Sequence, residues 1–346
     1  MGGESMGSVK DLKILEKPVS NSMGRGRFVY SDRYSVFDWG EMPDQIPNKG
    51  AAIAVLGAYF FEKLEEWGIP THYIGLVEGN KTKRLSEIKK PVNTMEFKLL
   101  HVKKPALNGN VYDYSCYNTK SGGFLIPLEV IYRNFLPEGS SVFKRLERGE
   151  ITPSEMGLDE KPIPGQKIFP PFLDVSTKLE ITDRYMSWDE AREISGMSED
   201  EIVDIKLLSN KINALISREV AKAGLLNEDG KMEYGYDMDR RLIVVDVLGT
   251  LDECRFTYRG LPISKEIARI HYRNTEWHKA IEDAKKKDRQ RWKEICKLKP
   301  QPLPEAMKKG ISQIYCACTN EITQNEWFKD VPPLKEILKE MNAEGV

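Results

Sequence analysis

The sequence is poor in cysteine and histidine, has almost no net charge and lacks any long apolar run. Its 346 residues include five cysteines and four histidines. An odd, low cysteine count fits a reducing cytosol better than a disulfide framework. Cys316 and Cys318 form C-A-C with no second pair. The histidines (His72, His101, His271, His278) fall at spacings that do not suit a tetrahedral zinc site. With 52 basic and 53 acidic residues the formal net charge is −1, so no global field draws the chain to nucleic acid or to an anionic membrane. No run approaches about 18 apolar residues, which excludes a membrane-spanning helix. The polar, glycine-rich start has no signal-peptide pattern. Internal repeats and low-complexity tracts are also missing. No G-x-x-x-x-G-K-[ST] motif or βαβ alternation announces a parallel mononucleotide-binding sheet. These absences predict a soluble, cytoplasmic protein.

What is present is a chain 40% hydrophobic and 30% charged, enough for two packed domains. Residues 1–10 read as a disordered start. Residues 11–125 read as a β-rich domain, 126–270 as a central α+β domain, and 271–346 as a helical extension. LKILEKPV and RFVYSD are strand-like, and SNSMGRG between them reads as a glycine-bearing turn. Such a turn is either a plain hairpin loop or a fold of backbone N–H groups over a phosphate. Residues 50–67 have helical spacing and stop at Gly68. Residues 105–123 read as a long loop or inserted hairpin, FLIPLEVIYRNFL as a buried strand, and 137–170 as a wandering surface segment. Ser187 with Glu190, and Ser198 with Glu201, have the spacing of capping boxes that open helices. KMEYGYD and RLIVVDVLG form a predicted hairpin about MDRR. The segment 284–299 carries eight lysines or arginines against two acids; it reads as a solvated helix face or, with Trp292 to stack on a base, as a nucleic-acid contact.

Three groups of residues carry chemistry. Alternate residues of a strand share a face, so Asp229, Lys231 and Glu233 lie together, and the hairpin brings Asp246 close. Two carboxylates beside a lysine suit a magnesium–nucleotide, and equally an ordinary charged strand surface. Arg133 followed by Gly139 and Ser140 is a pattern that holds phosphate through a guanidinium fork and backbone amides. Ser176, Thr177 and Lys178 form either an anion contact or a plain polar loop.

In order along the chain, these pieces resemble the SAICAR synthetase family. D-R-Y-S-V-F-D (32–38) is similar to its D-R-I-S-A-F-D, and I-P-N-K-G (46–50) to its I-P-G-K-G, followed by a helix and Thr71-His72. P-L-E-V-I-Y-R-N (127–134) with Gly139-Ser140, S-T-K (176–178), D-G-K-M-E-Y-G (229–235) and S-K-E-I-A-R (264–269) match further motifs. Asp246, Thr250, Asp252, Cys254, Arg255 and Phe256 fall in register with D-E-x-L-T-P-D-S-[SC]-R-F-W.

The resemblance implies a two-part α+β architecture related to ATP-grasp, with antiparallel sheets flanked by helices. It implies an ATP-dependent carbon–nitrogen ligase of purine biosynthesis. Such an enzyme joins the carboxylate of carboxyaminoimidazole ribotide to the amine of L-aspartate, using ATP and Mg2+. Arg133, Ser140 and Arg255 would hold the ribotide phosphate, with Ser176 and Lys178 lining the substrate cleft. Ser35, Asp38 and Lys49 would lie at its mouth. Gly24, Gly26, Arg27, Glu129, Lys231, Glu233 and Asp246 would bind ATP, with Glu233 and Asp246 on the metal. Lys231 and Asp229 would serve catalysis. The implied partners are these small molecules, without nucleic acid or membrane, and a homo-oligomer is left open.

The chain departs from the family pattern at several points. Arg25 and Arg27 stand in place of a G-K-x-K loop, Val247 replaces an acid, Thr257 replaces a tryptophan, and Asp183–Met186 replaces D-H-D-E. The alternative reading is a divergent ligase of the same class with another amine or carboxylate substrate.

Overall fold

The computed structural model describes residues 4–7, 9–109, 111–118, 120–263, 265–288 and 291–343. Ser264 of the S-K-E-I-A-R match, residues 289 and 290 of the basic segment, and residues 1–3 and 8 of the start lie outside the described residues.

The first sheet contains β1 (Glu4–Met6), β2 (Lys10–Glu16), β3 (Gly24–Tyr30), β4 (Tyr73–Glu78), β5 (Lys81–Lys83) and β6 (Thr94–Leu99), in the order β1-β2-β3-β6-β4-β5, all antiparallel. The start, expected to be without structure, thus adds a short edge strand. Helix α1 (Lys49–Glu66) packs on this sheet through a nearly continuous apolar run from Ile53 to Phe61. Its N-terminus explains the polar stretch before it. Orphan amides at a helix start need acceptors, and Asp32 accepts from Asn48 N (3.2 Å) and Gly50 N (2.9 Å). A side chain at position 50 would place its Cβ 2.5 Å from the Tyr30 carbonyl oxygen, so only glycine lets the chain pass there.

The insertion is a hairpin, β7 (Ala106–Asn108) with β8 (Val111–Asp113). Beyond it come β9 (Leu125–Leu136), α2 (Ser141–Glu147), β10 (Gln166–Thr177), α3 (Trp188–Ser195), α4 (Glu199–Ala221), β11 (Leu225–Tyr236), β12 (Leu242–Val245), β13 (Cys254–Tyr258) and β14 (Leu261–Pro262). The second sheet runs β10-β9-β11-β13-β14. β12 pairs with β11 along the same edge as β13, and every pairing is antiparallel. Buried Leu128, Val130 and Tyr132 face one side of β9, on the α4 side of the sheet, while Glu129, Ile131 and Arg133 face the other. The spacing at Ser198 closes a full capping box with Glu201. At Ser187 one half forms, the side chain accepting from Glu190 N.

The two sheets meet where Thr71 bridges Val244 in parallel, with His72 N donating to Val244 O (3.0 Å). The remaining chain forms α5 (Glu266–Arg273), α6 (Glu276–Lys287), α7 (Trp292–Ile295), α8 (Glu305–Thr323) and α9 (Leu334–Ala343). α8 lies on α1, and α9 lies on α8.

Candidate active site

Register builds the site on the polar face of the second sheet. Across the strands, Ser176 pairs with Glu129 and Glu129 with Glu233, while Asp174 pairs with Ile131 and Ile131 with Lys231. A third row runs from Phe172 through Arg133 and Asp229 to Arg255. The face therefore carries a guanidinium cluster at one end and an ammonium–carboxylate cluster at the other.

Arg133 is 1% exposed at the centre of the first cluster. Its Nη2 lies 3.0 Å from Asp174 Oδ2, and its Nη1 lies 3.4 Å from Asp229 Oδ2 and 3.5 Å from Ser140 Oγ. Arg255 grips Asp229 with two nitrogens, and Arg145 Nη1 reaches Asp174 Oδ2 at 2.5 Å. Three guanidinium groups thus share two carboxylates, leaving an excess positive charge beside Ser140, which caps α2. A buried excess of this sign and shape suits a phosphate. Arg133, Ser140 and Arg255 are brought together as expected. Asp229 lies among them rather than beside the Lys231 ammonium. Asp174 and Arg145 went unnoticed in the sequence; an acid two residues before Ser176 on the same strand face was the available signal.

In the second cluster, Lys231 Nζ stands 3.1 Å from Glu129, 3.3 Å from Glu253 and 3.9 Å from Glu233. Lys178 pairs with Glu233 and lies 3.6 Å from Glu129. Asp246 pairs with Lys10 of β2, and its carbonyl oxygen is 3.1 Å from His72 Nε2. Burial, then the Asp246 charge, push the Glu233 carboxyl up to about 7 against the pull of Lys178 and Lys231. Burial has the same sense at Asp246, but Lys10, Lys178 and Lys231 outweigh it and hold that carboxyl below the usual range. Nearby Asp183 is pushed up to about 6, by burial first and Glu129 second. Lys10 escaped the sequence reading because its partner is 236 positions away. Glu253 escaped it too, although it stands where the motif has serine, two residues before Arg255. Val247, where the motif has its second acid, packs in the core over Gly57 of α1.

Three expectations need correction. Gly24 and Gly26 do not form a turn over a phosphate. They lie in β3, which is paired on both edges, so its backbone is committed to the two ladders. Arg27 Nε donates to the fully buried Glu96 at 2.8 Å, and Arg25 pairs with the same carboxylate. Lys49 is not at the mouth: it is 1% exposed, and its Nζ lies 2.7 Å from Asp252 Oδ2. Ser176 and Thr177 belong to β10, not to a loop. Ser35 accepts from Gly40 N, and exposed Asp38 lies 3.5 Å from Lys285 Nζ. Lys285 also donates to Phe37 O, so this lysine of the basic segment faces the chain itself. Beyond the guanidinium cluster, a cleft of about 1350 Å³ runs past Arg145, Asp174 and Tyr185 toward Tyr112 of the inserted hairpin.

The fold is a mixed α+β one with antiparallel sheets, and a guanidinium cluster and a lysine–carboxylate cluster share one sheet face. The SAICAR synthetase family model matches residues 17–284. A relative from Archaeoglobus fulgidus, provisionally named a phosphoribosylaminoimidazole-succinocarboxamide synthase, is 51% identical over 97% of this chain and 98% of its own. The enzyme of that name from Thermoplasma acidophilum is 32% identical over 87% of this chain and 93% of its own. Among solved structures, a Saccharomyces cerevisiae SAICAR synthase holding SAICAR superposes with TM-score 0.63 at 20% identity, over 93% of this chain and 95% of that one. A SAICAR synthetase holding ADP superposes with TM-score 0.56 at 22% identity, over 87% of this chain and 100% of that one. The chain belongs to the SAICAR synthetase family, the ATP-dependent carbon–nitrogen ligases of purine biosynthesis. Most of the segment after residue 270 is shared with the Archaeoglobus relative.

Proposed function

We propose that this chain joins the carboxylate of carboxyaminoimidazole ribotide to the amine of L-aspartate, with ATP giving ADP and phosphate. The observation that carries this reading is the placing of both clusters on β11. Asp229 with its arginines and Glu233 with its lysines are four residues apart, roughly 13 Å along a strand. That span suits a ribotide whose phosphate and reacting carboxylate lie at opposite ends.

In this reading Arg133, Ser140 and Arg255 hold the ribotide phosphate, while Asp229 and Asp174 hold the guanidinium groups in place. Ser176 and Lys178 line the substrate cleft at its Glu233 end. Lys231 offsets charge on the transferring phosphoryl group. A carboxylate is a poor electrophile, and phosphorylation turns it into an acyl phosphate with a good leaving group. The aspartate amine then attacks that carbon and phosphate departs. Positioning and charge neutralisation supply most of the acceleration. Glu233 and Asp246 are the donors that would hold Mg2+, which adds charge neutralisation at the nucleotide phosphates. Two carboxylates completed by phosphate oxygens and water suit that hard cation.

Buried, unpaired Cys254, Cys296, Cys316 and Cys318 support a cytoplasmic setting, and no helix of the described residues is long and apolar enough to cross a membrane. The test is ADP release from Mg-ATP and the ribotide, with and without L-aspartate, with products weighed by mass spectrometry. Aspartate-dependent release with the succinocarboxamide product is expected. Turnover only with another amine would replace this reading with the divergent ligase.

A further inference from the structure

The segment beyond residue 284 lies outside the family match, yet one of its side chains reaches the wall of the site. Asp252 is buried between two donors. Lys49 Nζ lies 2.7 Å from its Oδ2, and Tyr315 OH of α8 donates to its Oδ1 at 2.6 Å. Tyr315 itself is 1% exposed. Asp252 sits inside the tight turn that returns the chain from β12 to β13. In that turn Glu253 N and Cys254 N both donate to Thr250 O, at 3.2 and 2.9 Å. The next residue touches the chemistry: Glu253 O accepts from Lys231 N at 3.1 Å, and Glu253 Oε2 lies 3.3 Å from Lys231 Nζ.

We propose that Tyr315 is a positioning residue for Lys231. α8 fixes Tyr315, Tyr315 and Lys49 fix Asp252, the turn follows Asp252, and Glu253 then holds the Lys231 backbone through its carbonyl oxygen and the Lys231 ammonium through the charge of its carboxylate. The C-terminal helices are on this account part of the active-site frame. The inference rests on the ligase reading for its kinetic test, and on geometry alone for its second test.

Thr319 lies one helical turn along α8. It is fully buried, and its hydroxyl donates to Tyr315 O at 2.8 Å. Thr319→Val therefore weakens the same helix without touching Asp252 and serves as the structural control. For Tyr315→Phe we expect kcat to fall about tenfold with the KM values for ATP, ribotide and L-aspartate each within about twofold, the pattern of an interaction that matters in the transition state. Adding it to Glu253→Gln should cost little more than Glu253→Gln alone, because both act through one path. Amide hydrogen exchange at residues 253 and 254 should quicken in Tyr315→Phe and stay unchanged in Thr319→Val. The proposal is overturned if Tyr315→Phe keeps wild-type kcat, if Thr319→Val lowers kcat equally, or if exchange at 253 and 254 does not change. If the wild type itself gives no turnover, the ligase reading fails, and the exchange comparison alone decides whether Tyr315 holds the turn.

Discussion

Arg255 and Asp229 face each other across β13 and β11, with Nε 2.8 Å from Oδ1 and Nη2 2.5 Å from Oδ2. The same carboxylate also faces Arg133 Nη1. One aspartate thereby bridges two guanidinium groups that would otherwise repel each other at the end of the sheet.

Asp229→Asn should therefore act through the arginines. The expected outcome is a rise in ribotide KM of about tenfold or more, with ATP KM within about twofold, measured by steady-state ADP release. Two like charges left without their shared counter-charge should also lower stability by about 3 kcal/mol in urea unfolding. A fall in kcat with both KM values intact would instead give Asp229 a part in the chemistry.

Arg255→Ala removes a side chain proposed to touch the ribotide phosphate. Ribotide affinity, followed by titration calorimetry, should fall far more than ATP affinity. Charge-assisted contacts of this kind contribute about 1.5–3 kcal/mol, or roughly ten- to hundredfold in affinity. Equal loss of both ligands would argue against the assignment.

His72 is buried, and burial lowers its pKa from 6.5 to about 4. The unfolded chain thus binds more protons than the folded one between these values. Stability is complete above pH 6.5 and falls as pH drops toward 4, by about 3 kcal/mol from this residue. Urea unfolding across that range should show the slope, and a His72→Gln variant should lack this share of it.

The proposed metal site gives a fourth test. ADP release should stop with excess EDTA and return when Mg2+ is restored. Glu233→Gln should raise the Mg2+ concentration needed for half-maximal rate by about tenfold, because one of two hard oxygen donors is neutralised. No change in that requirement would remove Glu233 from the metal.

Ser198→Ala removes the cap of α4 far from both clusters. It should lower stability by about 1 kcal/mol and leave kcat unchanged, which thermal unfolding and the ADP assay would show together.

The elements that announced themselves were those with a local cause. α1 and β9 carry unbroken apolar patterns, the β11–β12 hairpin carries its own turn, and Ser198 carries its cap three residues ahead of Glu201. β10 and α2 did not. The first is interrupted by Pro170-Pro171 and ends in the polar Ser176-Thr177, and the second sits in a proline- and glycine-rich run. The first residues of β3, Gly24 to Gly26, looked like a turn because such glycines suit one, but pairing with β2 and β6 overrides that local preference. In the site, residues sharing a strand were legible from alternation. Partners supplied from afar, such as Lys10 to Asp246 or Tyr315 to Asp252, leave no mark in local spacing.

Asp246 follows the last residue of β12 in the second sheet but is tied to the first by two different groups, its carboxylate to Lys10 and its carbonyl to His72. Its backbone is left-handed, with φ 63°, and it lies two residues beyond Val244 of the Thr71–Val244 bridge. The two halves of the molecule are therefore sewn together at the seat proposed for the nucleotide. A ligand bound at Asp246 would therefore touch both halves at once, and its binding would brace the seam rather than lean on either half alone.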